Sequence, residues 1–172
     1  LPKSVWESYS AFANTIGGYI LLGIDENRKE TDVAKRFTII GVDNIPKLIS
    51  DLWNTINGNK VNRNILLDSD VEVNTIDGKS IICIHVPQAD WRMKPVFLNE
   101  NPYKGSFKRN HEGDYHCTEM EVRAMIRDAN EDGNDGGLLD GFTLDDIDAN
   151  TLHGYRNQFR ILNADHDWND KD

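Results

Sequence analysis

Apolar residues near the start of the chain recur at helical spacing. Val5, Tyr9, Phe12 and Ile16 form one stripe and predict an amphipathic helix over residues 2–16. Gly17-Gly18 ends it, because glycine enters the left-handed cap without a Cβ penalty. Tyr19 to Ile24 is then unbroken apolar sequence bounded by Gly18 and Asp25, the pattern of a central strand buried on both faces. A charged loop follows from Asp25 to Arg36, and Phe37-Thr38-Ile39-Ile40-Gly41-Val42 predicts a second strand. The period changes again at Asp43: Ile45, Leu48, Ile49, Leu52, Trp53 and Ile56 fit a helix, with Pro46 tolerated in its first turn and Gly58 just past its end.

Two strand-like runs, 65–76 and 79–86, flank Asp77-Gly78, a pair suited to the positive-φ positions of a type I′ turn, so a β-hairpin is expected. Residues 88–100 read as a loop leading into a strand at Val96-Phe97-Leu98, and 103–109 as another short strand. Thr118 with Glu121 makes a capping box ahead of a helix whose apolar face is Met120, Val122, Met125, Ile126 and Ala129. The Gly-, Asn- and Asp-rich residues 130–137 read as a linker. Beyond it Leu152, Tyr155, Phe159 and Leu162 predict one more amphipathic helix. This order predicts an α+β (mixed α/β) fold with a central mixed sheet, a hairpin and flanking helices. The predicted domains are 1–128, a flexible acidic linker at 129–142, and the helical start of a next region at 143–172.

The length of 172 residues and a hydrophobic content of 38% suit one packed core with an appendage. No apolar run approaches the roughly 20 residues of a membrane helix, so no membrane partner is expected. Leu1-Pro2-Lys3-Ser4 has neither an initiator Met nor a signal-peptide layout, so the start reads as a cut within a longer protein. Cys83 and Cys117 match no metal or disulfide spacing and read as reduced thiols of a cytoplasmic protein. The histidines, His85, His111, His116, His153 and His166, form no metal spacing either.

A net charge of −10 argues against a polyanionic partner until its distribution is considered. Residues 1–118 carry 14 Lys and Arg against 15 Asp and Glu, whereas 119–172 carry 5 against 14, so the acidity belongs to the tail. Within residues 79–109, Lys79, Arg92, Lys94, Lys104, Lys108 and Arg109 face only Asp90 and Glu100. Trp91, Phe97, Tyr103 and Phe107 interleave with them, a combination that can hold phosphates and stack bases. Arg92, Lys94, Lys104, Lys108 and Arg109 are therefore the candidate nucleic-acid contacts.

Several blocks resemble one family. Ser10-Ala11-Phe12-Ala13-Asn14-Thr15, Gly17-Gly18 and Leu22-Gly23-Ile24-Asp25 resemble the Ala-Phe-Ala-Asn-Thr and Gly-Gly blocks of Schlafen, or divergent AlbA-like, domains. Ile40-Gly41-Val42, Val86-Pro87, Pro95-Val96-Phe97 and Arg109…Gly113-Asp114…Thr118 continue the match over about residues 1–128. Asn14, Thr15, Gly17, Gly18 and Gly23 are its motif residues. Read physically, they shape a helix-to-strand turn and let the backbone approach a neighbour closely.

The resemblance implies a nucleic-acid-binding, DNA-binding domain of a bacterial transcriptional regulator, of a kind sometimes named as related to a RecG-type helicase. The partner it implies is nucleic acid, without a choice between DNA and RNA; DNA is expected ahead of RNA, a homo-oligomer is allowed, and no cofactor is expected. Its enzymatic alternative is a metal-dependent ribonuclease using Mg²⁺ or Mn²⁺. In that reading Glu26 matches the third acid of the nuclease set, Asp25 lies beside it, and the first two glutamates would fall upstream of Leu1. One acidic pair cannot supply the octahedral oxygen shell, so no catalytic residue is assigned and this chain by itself is expected to be inactive as a nuclease. An interaction or oligomerisation module is the third alternative.

Overall fold

The computed structural model describes residues 1–130, 146, 148–164, 166 and 169, apart from the side chain of Ala34. The chain divides into two compact units, Leu1–Asp132 and Gly133–Asp172. The expected linker lies, beyond residue 130, outside the described residues.

The first unit is a mixed α/β arrangement of antiparallel sheets flanked by helices, built around helix α1, Lys3–Asn14. Val5, Trp6, Tyr9, Ala11 and Ala13 are buried along it, a wider stripe than the sequence periodicity alone marks. Ile16 falls beyond the helix end and is exposed, so the apolar period overran the helix by two residues. Gly17 has φ +80°, and a Cβ there would sit 2.9 Å from the Val86 carbonyl oxygen. The turn expected of Gly17-Gly18 is thus also a place of close backbone contact.

Strand β1, Gly18–Leu22, does not occupy the expected central position. The sheet order is β1-β5-β4, with β4 Val71–Ile76 and β5 Lys79–Val86, so among the described residues β1 is an edge and β5 the centre. Its burial alternates, leaving Tyr19 and Leu21 exposed and Ile20 and Leu22 facing the core. Gly23, at φ +97°, breaks the apolar run, and Ile24 starts a separate hairpin. In that hairpin β2, Ile24–Glu26, pairs with β3, Phe37–Ile39, and the short helix α2, Val33–Arg36, lies between them. The left-handed Gly41 stops β3 short of Val42.

Helix α3, Ile45–Ile56, has the expected bounds, and Leu52 and Ile56 are buried in the core. The hairpin turn is also as expected: Asp77 and Gly78 have φ 50° and 75°. Val96–Leu98 makes only isolated bridges, Val61 to Leu98 and Phe97 to Ser106, instead of a strand. The predicted strand at 103–109 divides into α4, Pro102–Gly105, and β6, Phe107–Asn110. Asn101 caps α4 by accepting hydrogen bonds from the N–H groups of Tyr103 and Lys104. Strand β7, Gly113–His116, pairs with β6, and α5, Glu119–Asn130, follows the Thr118–Glu121 capping box. Val122 of α5 is buried, whereas Met120 is exposed.

In the second unit, α6, Ala149–Leu162, is capped by Asp148, which accepts from the Thr151 N–H. Leu152, Tyr155 and Leu162 of its expected apolar face are exposed.

Candidate nucleic-acid interface

The C-terminal half of α1 is a clasp between distant segments. The Asn14 side chain donates to the carbonyl oxygens of Val96 (2.8 Å) and Phe107 (2.9 Å) and accepts from the Val96 N–H (2.8 Å). Ser10, fully buried, donates to the Val96 carbonyl (2.7 Å) and accepts from the Phe107 N–H (3.0 Å). Thr15 accepts from the Arg109 N–H at 2.9 Å. These side chains satisfy backbone groups of two segments that no long ladder reaches.

The clasp sets β6 and β7 beside α1 and beside the β2–β3 hairpin. Between them runs an open groove of about 970 Å³, lined by Ser4 and Ser8 of α1, by Glu26, Arg28, Val33, Arg36 and Phe37, and by Arg109, Glu112, Gly113, Asp114 and Tyr115. The Arg36 guanidinium donates to Glu26 through Nε (2.8 Å), with Nη2 also 2.5 Å from that carboxylate, and Arg28 Nε lies 3.2 Å from its other oxygen. These donors, Arg36 first, hold the Glu26 carboxyl below its ordinary pKa. Arg109 donates to Asp114 at 2.8 Å, and its guanidinium lies 5.3 Å above the Phe12 ring centroid. Asp114 also accepts from the Ser8 hydroxyl at 2.5 Å.

Two aromatic side chains of the groove stay open to solvent. Phe37 is 52% exposed and Tyr115 is 55% exposed. The Tyr115 ring lies across Gly113, where an added Cβ would meet it at 2.7 Å. Glycine therefore leaves room for the ring beside the β6–β7 turn.

Compared with known families, residues 2–118 match the one described as Schlafen, AlbA_2. The chain belongs to this family. The Schlafen AlbA_2 domain spans the first unit almost to the start of α5, and its Asn14, Thr15 and glycine block forms the clasp and turn described above. Residues 123–172 match a domain of unknown function, DUF8451. Among solved structures, the chain is similar to the N-terminal domain of a RecG-related protein from Nitrosomonas europaea, studied by solution NMR. The two share 28% identity over 68% of this chain and 76% of that one, with a TM-score of 0.49. No curated protein matches the chain.

Of the five cations singled out in the Schlafen AlbA_2 sequence, only Arg109 lines the groove. Lys94 donates through Nζ to the Asn14 carbonyl at 2.9 Å, and burial lowers its pKa. Lys108 is held by Glu121 at 2.5 Å. Arg92 stacks on Trp91 at 4.4 Å, and Lys104 is exposed on α4. Among the described residues no three His, Cys, Asp or Glu side chains cluster to hold a metal, and Asp25 is exposed on β2 beside the ion-paired Glu26. Arg28, Arg36, Phe37 and Tyr115 were not marked by the sequence. Residues 25–36 balance four basic against four acidic side chains, which hides the arginines from any charge count.

Proposed function

We propose that the first unit is the nucleic-acid-binding domain of a cytoplasmic bacterial transcriptional regulator, with DNA preferred to RNA. The observation that carries this reading is the groove, where Arg28, Arg36 and Arg109 share one open surface with the exposed rings of Phe37 and Tyr115. A guanidinium has five donors, and the ion pairs above use Nε of Arg28, Nε and Nη2 of Arg36 and Nη1 of Arg109, so each fork keeps N–H groups for phosphate oxygen. Arg92 and Lys104 add exposed positive charge elsewhere on the unit, while Lys94 is held on the Asn14 carbonyl and Lys108 on Glu121.

Fluorescence anisotropy of labelled DNA and RNA with the whole chain, at low and moderate salt, tests the proposal. Affinity is expected to fall with salt, and Arg28→Ala with Arg36→Ala should weaken binding of all sequences alike. Lys108→Ala with Arg109→Ala should do the same. Binding unchanged by both pairs of substitutions would overturn the assignment.

A further inference from the structure

Building on that reading, we infer that the groove between the β2–β3 and β6–β7 hairpins takes single-stranded polynucleotide, with Phe37 and Tyr115 as stacking platforms for unpaired bases. The charges of the groove point this way first. Its three arginines are matched by Glu26, Glu112 and Asp114, and each arginine lies within ion-pair distance of at least one of these carboxylates. A phosphate entering the groove meets little net positive charge, so backbone attraction supplies only part of the affinity.

The remainder falls to the rings. Phe37 comes from one hairpin and Tyr115 from the other, both more than half exposed at their backbone-fixed positions. Large aromatics usually bury most of their area, and two left open in the same groove match the stacking element of single-strand binding. Arg36 lies 5.7 Å from the Phe37 centroid, so a stacked base and a phosphate-facing guanidinium would stand side by side. A duplex keeps its base faces inside the stack and offers nothing to either ring.

The experiment measures anisotropy of labelled oligo-dT and oligo-U of about 15 nucleotides, of a mixed-sequence duplex of equal length, and of an abasic oligomer that keeps phosphates and lacks bases. The whole chain is compared with Phe37→Ala, Tyr115→Ala and Tyr115→Phe, each checked for an unchanged thermal transition. Single strands are expected to bind more tightly than the duplex or the abasic chain. Each alanine should weaken single-strand binding roughly 5- to 150-fold, while Tyr115→Phe keeps it. The DNA and RNA arms show which backbone the groove accepts. Duplex and abasic binding as tight as single-strand binding, with both alanines silent, would overturn the stacking inference and leave nucleic-acid binding standing. Absence of binding to every probe would overturn both.

Discussion

Truncating Asn14 to alanine tests whether the clasp at the end of α1 is structural. The substitution removes three hydrogen bonds of 2.8–2.9 Å to the backbone of Val96 and Phe107. The Val96 carbonyl keeps its bond from Ser10, but the Val96 N–H and the Phe107 carbonyl lose this partner. At roughly 0.5–1.5 kcal/mol for each net bond, the loss comes to about 3 kcal/mol. With a urea m-value of ~1–3 kcal/mol/M, the unfolding midpoint should fall by roughly 1–3 M. Urea titration followed by tryptophan fluorescence is suitable, because Trp6 is only 2% exposed in the core that α1 organises. Asn14→Asp should be no milder, since it keeps the acceptor for Val96 but turns an anionic oxygen toward two carbonyls. A loss below about 1 kcal/mol for Asn14→Ala would refute the clasp as a stabilising element, the usual worth of a single bond being of that order.

Gly17→Ala should destabilise by more than ~1 kcal/mol, because it combines positive φ with a Cβ 2.9 Å from the Val86 oxygen, and the same titration reads it. Glu121 has its carboxyl pushed down to about 2, first by Lys108 and then by the Thr118 N–H. Its folded pKa lies below a glutamate's ordinary 4.5, so its stabilisation is complete above that pH and is lost as pH falls toward 2. Thermal melts across that window should show a shallower pH dependence in Glu121→Gln than in the parent. Burial raises the Cys117 thiol to about 11, so alkylation by iodoacetamide at pH 8 should be slow until denaturant is added. Rapid labelling of the native protein at Cys117 would show that its cover is missing.

What the sequence made legible was local. The α3 stripe, the Asp77-Gly78 turn and the Thr118–Glu121 box each act over a few residues, and each lies where the pattern placed it. The glycine at 17 was legible as a turn, though its contact with Val86 was not. The edge position of β1 escaped because an apolar run reports what residues prefer and not how many neighbours a sheet supplies. The groove escaped for a different reason. Its charged walls come from residues 26–37 and 109–115, and their charges cancel within each segment or between them. Lys94 and Lys108 looked like free surface cations, and only tertiary structure shows one on the Asn14 carbonyl and the other on Glu121.

The clasp also has a kinetic meaning. Ser10 and Asn14 bond to residues 82 to 97 positions away along the chain, so each contact closes a long loop. The length-dependent part of that closure amounts to about 4 kcal/mol, whereas the two-residue turn between β4 and β5 joins its strands almost without one. The hairpin can therefore form early, whereas the clasp, like the pairing of β1 with β5, waits for distant segments to meet. Weakening a late contact leaves the climb to the folding barrier unchanged and shortens the return, so damage to Asn14 would be felt mainly as a faster unfolding rate.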